Sequence, residues 1–110
     1  MDFKRKWFRN NISEIIECGN LDLLIWFKNN GLELYSDICA EAAYYGRLDI
    51  LEWAKSNDCP WDKQTVFNAI YGDNLELFKW VVDNGCEIDE ICRLYAEIKG
   101  EFGDYLKRLS

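Results

Sequence analysis

The chain is 110 residues long, 49% hydrophobic and 15% aromatic, enough apolar material for one modest core and too short for two domains. Residues 1–9 carry a local +3, and Lys107 and Arg108 add +2, so the formal net charge of −7 leaves −12 on the rest, a body that repels phosphate backbones. With no histidine in the chain, Ser-His and Cys-His nucleophile pairs are excluded.

The opening residues Lys4, Arg5, Lys6 and Arg9 are not followed by the apolar run of a signal peptide, and no stretch approaches the ~18 apolar residues of a membrane span. Phe3, Trp7 and Phe8 are expected on one helical face that closes an open end, with the basic residues toward water. Residues 1–11 are therefore assigned as an N-terminal cap. From Ile12 onward the sequence repeats without a gap, each copy beginning where Ile12, Cys39 and Val66 stand. Leu21, Leu48 and Leu75 fall into register, as do Trp26, Trp53, Trp80 and Asn30, Asn57, Asn84. Eight positions are identical between residues 12–38 and 39–65, and seven between 39–65 and 66–92, so these are three copies of one unit.

Each unit predicts two short helices. In the second, Ile38, Cys39, Ala42 and Ala43 form one apolar stripe, Gly46 closes it, and Leu48, Ile50, Leu51, Trp53 and Ala54 form another. Asp49 favours the positive end of that helix, Pro60 stops it, and Asp62 is placed to cap the next. The helices expected are 36–45, 48–56, 64–71 and 75–84. The first unit reads the same way: Ile12, Ile15 and Ile16, then Leu21, Leu23, Leu24, Trp26 and Phe27, with Gly31 as a C-cap signal. A partial fourth unit begins at Asp89. Residues 93–110 are assigned as its remainder and a C-terminal cap, its second helix weakened by Gly100 and Gly103. The three in-register tryptophans are expected in the core between units, so that Trp53→Ala costs roughly 3–5 kcal/mol. Leu34, Trp61 and Ile88 share a turn position and are expected to pack.

The run A-A-Y-Y-G-R-L-D-I-L-E-W-A-K-S-N-D-C-P-W-D (residues 42–62) resembles an ankyrin repeat, and Leu75-Glu76-Leu77-Phe78-Lys79-Trp80 with Asn84-Gly85-Cys86 repeats the pattern. The tryptophan and the Cys-Pro-Trp-Asp turn are similar to short ankyrin-like repeats of giant DNA viruses of amoebae and of some protists and algae. The period is shorter than the about 33 residues typical of ankyrin repeats. The resemblance thus implies an all-α fold: a short α-solenoid of stacked helix pairs with little or no β-hairpin finger. It also implies a non-catalytic module that binds a protein partner, in an intracellular, cytoplasmic setting (the host cytoplasm if viral).

The remaining chemistry is sparse. The five cysteines include no C-x-x-C, and Cys59 and Cys86 are repeat-mates. Cys18, Cys39 and Cys92 sit where apolar or small residues stand elsewhere. Buried small hydrophobes in a reducing compartment are expected, with no metal and no cofactor. No phosphate loop is present and no carboxylate pair is marked for acid–base work, so the chain does not read as an enzyme. Binding remains. Stacked units would align the outward faces of the first helices as a ribbon, with Glu14, Glu41, Asn68 and Tyr95 in one row and Glu17, Tyr44, Tyr71 and Ile98 in the next. Tyrosines among acids suit a protein partner with a basic, partly apolar patch, engaged by a monomer, without direct nucleic-acid or membrane binding. Two other readings stay open: an acidic nucleic-acid mimic that sequesters a basic protein, and a structural repeat remnant with no ligand.

Overall fold

The computed structural model describes residues 2–109. Eight helices follow in order: α1 (Asp2–Glu17), α2 (Leu21–Asn29), α3 (Ser36–Tyr44), α4 (Leu48–Ser56), α5 (Lys63–Tyr71), α6 (Leu75–Asp83), α7 (Glu90–Ile98) and α8 (Glu101–Leu109). No strand occurs among the described residues, so the fold is all-α. Helices α3, α5 and α7 begin one sequence period apart, at Ser36, Lys63 and Glu90, and α2, α4 and α6 do the same at Leu21, Leu48 and Leu75. The connections 30–35, 57–62 and 84–89 between pairs contain no hairpin.

Helices α2 to α8 have nine residues each, below the ~12–15 residues at which an isolated helix is marginal in water. Their ends are therefore fixed by caps and their sides by packing. Asn20 and Asn74 accept from the backbone N–H of Leu23 and Leu77 at 3.1 and 3.0 Å, and Asp62 and Asp89 accept from Gln64 and Cys92 at 3.0 and 2.9 Å. At the other end, the side-chain amides of Asn30, Asn57 and Asn84 donate to the carbonyls of Trp26, Trp53 and Trp80 at 2.8, 2.9 and 2.8 Å. That bond accounts for the recurring Asn; its acceptor is a main-chain carbonyl, so it does not itself select Trp. The first helices close on a left-handed residue at Gly19, Gly46, Asp73 and Gly100 (φ 71°, 71°, 58° and 71°), again one position repeated.

The helices pack in pairs, α1 on α2, α3 on α4, α5 on α6 and α7 on α8, while α1, α3, α5 and α7 pack side by side in a row. The molecule measures 47 × 21 × 21 Å. Its core is a continuous line of Ile12, Ile15, Ile16, Cys39, Ala42, Ala43, Val66, Ala69 and Ile70 from the row, covered by Leu24, Phe27, Ile50, Leu51, Ala54, Leu77, Phe78 and Val81 from the second helices. Polar bonds stitch neighbouring pairs. The Cys59 and Cys86 thiols donate to the Tyr35 and Asp62 carbonyls at 3.3 and 3.2 Å, the same bond made twice. Ion pairs Arg9–Asp37 (3.1 Å), Lys63–Asp89 (3.4 Å) and Lys99–Asp73 (3.8 Å) also join adjacent pairs.

Several expectations are corrected. The boundary drawn at residue 11 falls inside α1, which runs unbroken to Glu17. Of its aromatic residues only Phe8 is buried, 4.7 Å from the Phe27 ring, while Phe3 and Trp7 are exposed. The repeated tryptophans are not buried: Trp26 is exposed, and Trp53 and Trp80 are half-buried, packed against the edge of the core. The buried stripe lies one position over, at Leu24/Phe27, Leu51/Ala54 and Phe78/Val81, so each indole lies on its shoulder. The void expected for Trp53→Ala thus belongs to Phe78, which is fully buried. Leu34, Trp61 and Ile88 do pack against the core, and Trp61 meets Trp80 edge-on at 5.9 Å. Cys18 is exposed, whereas the other four cysteines are buried.

The last helix is not degenerate. α8 is as long as α2 to α7 and buries Phe102 edge-on against Phe78 at 4.9 Å. Gly103 is required there: a Cβ would lie 2.9 Å from Glu97 Cα and 3.1 Å from the Ala96 carbonyl. Glycine lets α8 approach the α7 backbone more closely than any other residue allows.

Candidate functional site

Residues that share a register position on the row of first helices share one outward face, and the sequence-derived ribbon residues lie on it. Glu14 and Glu17 are exposed on α1, Glu41 is half-buried on α3, and Tyr44 and Tyr71 are 43% and 55% exposed. The Tyr44 and Tyr71 rings stack at 5.7 Å and 19°, across the seam between α3 and α5. Tyr71 in turn stacks on Phe67 at 6.5 Å, and Phe67 meets Tyr95 of α7 at 5.2 Å. These contacts join three helices into one aromatic strip. Stacking preorders the rings, which lowers the entropy lost on contact with a partner.

Asn68 plays a different part. Its Nδ2 donates to the Ala40 carbonyl at 2.9 Å and its Oδ1 accepts from Gln64 Nε2 at 2.8 Å, so it ties α5 to α3. The acidic end is gathered around Tyr45, whose hydroxyl is made less acidic by burial first and then by the Glu17 and Glu41 carboxylates. Arg47 stands beside it, donating through Nη2 to the Glu17 carbonyl.

The ribbon continues past the residues read from sequence. Ile91, Leu94 and Ile98 of α7 are 65%, 51% and 81% exposed. With Phe67 and Tyr95 they line an open groove of about 290 Å³ made only of hydrophobic side chains. Spacing i, i+3, i+4, i+7 on α7 puts Ile91, Leu94, Tyr95 and Ile98 on one stripe. Two register rows, Asn10–Asp37–Gln64–Ile91 and Ser13–Ala40–Phe67–Leu94, carry the signal that would have found them. Beside this stripe, Arg93 and Glu97 occupy positions that hold buried Cys39/Val66 and Ala43/Ile70 in the inner pairs. The end of the row is thus charged, while its ribbon face is apolar.

A second hollow of about 260 Å³ is lined by Arg5, Arg9, Leu32, Glu33 and Tyr35. Arg9 and Tyr35 are already engaged there: Arg9 pairs with Asp37, and Tyr35 donates to Glu33 at 2.7 Å, a bond that raises the phenol pKa. Three of the buried thiols are held protonated. Cys39 is raised by its hydrogen bond with Cys59 and then by burial, and burial is the first cause that pushes Cys86 to about 12 and Cys92 to about 11. Among the described residues no three His, Cys, Asp or Glu side chains group closely enough to hold a metal ion, and no helix is long and apolar enough to cross a membrane. No family model, curated protein or solved structure matches the chain.

Proposed function

We propose that the chain is a non-catalytic protein-interaction module, an ankyrin-like stack of helix pairs that binds a protein partner through the ribbon of its first helices. The observation that carries this reading is the strip from Tyr44 through Tyr71 and Phe67 to Tyr95, joined by stacked and tilted ring contacts, with Tyr44 and Tyr71 exposed and Phe67 and Tyr95 half-buried. Exposed aromatic residues in contiguous contact are enriched at protein interfaces, and apolar patches of this kind on a small monomer mark interaction sites. The stacked helix-pair reading is supported by helix starts and caps that recur once per period. The surrounding charge of −7 favours a cationic partner and opposes nucleic acid.

The test compares proximity labelling in cells by the wild-type chain and by a Tyr44→Ala/Tyr71→Ala variant. Both rings are about half exposed, so the variant is expected to keep its unfolding free energy, from urea titration, within about 1 kcal/mol of wild type. Specific loss of labelled proteins supports the ribbon. An unchanged labelling pattern with an intact fold rejects it.

A further inference from the structure

The ribbon is graded. Four register rows cross it, and each runs from polar or acidic on α1 to apolar on α7: Asn10–Asp37–Gln64–Ile91, Ser13–Ala40–Phe67–Leu94, Glu14–Glu41–Asn68–Tyr95 and Glu17–Tyr44–Tyr71–Ile98. Every member is exposed or half-buried, so the gradient is present at the surface. At the acidic end Asp37 is already paired with Arg9 at 3.1 Å, and no ion pair engages Glu14, Glu17 or Glu41 among the described residues. At the other end, the α7 groove offers only hydrophobic side chains.

Resting on the function proposed above, we infer that the ribbon takes a linear protein segment whose basic residues lie over α1 and α3 and whose apolar residues lie over α5 and α7. Size argues for a linear segment. Three steps between adjacent helices of about 8–10 Å each give a track of roughly 25–30 Å. Its width, from 91 to 98 at about 1.5 Å per residue, is about 10 Å. That footprint is roughly 300 Å², well under the ~800 Å² per partner of a standard globular interface. An extended chain at about 3.3 Å per residue covers it with roughly eight or nine residues.

Charge argues against a second copy. Each chain carries −7, and the flank of the α7 stripe bears Glu90 and Glu97. Pairing two copies sets −7 against −7, a repulsion that Arg93 on the same flank offsets only in part. A cationic segment is attracted by the net charge, opposed only by the basic start of α1 (Lys4, Arg5, Lys6 and Arg9) before the ribbon rows begin at Asn10. Nor does the face await another helix pair of the same kind, because Arg93 and Glu97 replace the apolar residues such a pair would cover.

Random dodecapeptides displayed on phage and selected on the full chain test this. Enriched sequences are expected to carry Lys and Arg toward one end and Leu, Phe or Trp toward the other. A fluorescein-labelled winner should bind Ile98→Glu at least tenfold more weakly at any salt. It should bind Glu14→Lys/Glu17→Lys several-fold more weakly, an effect that vanishes at high salt. A photocrosslinker at its apolar end should label α7, and one at its basic end α1. All three substituted side chains are exposed, so folding is not at stake. Basic and apolar residues intermixed in the winners, reversed crosslinks, or no enrichment at all overturn the graded segment. The ribbon reading then still stands if proximity labelling depends on Tyr44 and Tyr71. Winners indifferent to Ile98→Glu overturn the segment's placement on the ribbon. Sedimentation equilibrium that finds a dimer abolished by Ile98→Glu gives the face to a second copy and overturns the proposal.

Discussion

At the residue scale, the cysteines separate by environment. Cys39, Cys59, Cys86 and Cys92 are buried; three of them have raised pKa values, whereas the hydrogen bond with Cys39 lowers that of Cys59, so it is lack of exposure that keeps all four from a reagent. Cys18 alone is exposed. Native protein is therefore expected to react with one equivalent of a thiol reagent quickly at pH 8, and with the other four only after denaturant. Two or more fast equivalents would place a second thiol at the surface. The spacing of Cys59 and Cys86 indicated only the period in sequence. Their bonds to the Tyr35 and Asp62 carbonyls were illegible there, because a thiol that replaces Leu32 in register looks like any small hydrophobe. The tryptophans mislead for a related reason. Periodicity places Trp26, Trp53 and Trp80 within about one position of the stripe, and a turn of about 100° decides between core and shoulder. Two apolar neighbours in each helix, Phe27, Ala54 or Val81 among them, win the inner place because they fit between closely spaced helices.

At the element scale, helix positions were legible almost to the residue, since both boundaries are written in cap chemistry that recurs: Asn at the second-helix C-cap, Asp62 and Asp89 before the first helices. The exceptions are α1, which runs through the boundary drawn at residue 11, and α8. Glycine at 100 and 103 signals low helix propensity, worth about 1 kcal/mol each against alanine, and packing overrides it. Gly103→Ala gains that propensity but forces a Cβ against Glu97 Cα at 2.9 Å, with backbone on both sides and no flexible side chain to yield. Overpacking of this kind costs about 1–3 kcal/mol, so a net loss in the urea midpoint is expected, together with weaker Phe102–Phe78 contact. A stabilised variant would mean that α8 shifts freely on α7. The ribbon was read from two of its four rows. The other two were hidden because their members change type from Asn10 to Ile91 and from Ser13 to Leu94, which similarity-based register reading passes over.

At the scale of the whole molecule, side-chain bonds such as Arg9–Asp37, Asn68–Ala40 and Cys92–Lys63 join each pair to its nearest neighbour. The fully buried residues concentrate in the middle, from Ile38 to Val81. Stability in such an arrangement approximates a sum of unit and interface contributions, and end units have one interface fewer. Amide hydrogen exchange should accordingly be slowest in α3 to α6 and faster in α1, α2, α7 and α8. Uniform protection from end to end would require one indivisible cooperative unit instead.

The left-handed position shared by Gly19, Gly46, Asp73 and Gly100 also bears on how such a molecule lengthens. A backbone corner that returns once in every unit acts as a splice point. Cutting at one corner and rejoining at the next leaves each segment of the chain entering its neighbour at the same angle. Duplicating or deleting one whole unit therefore preserves every corner and cap, whereas a shift of a single position turns the following helix by about 100° and presents its polar face to the core. Length in this chain is quantised by conformation, and inheritance of whole units is the only step that its geometry copies without repair.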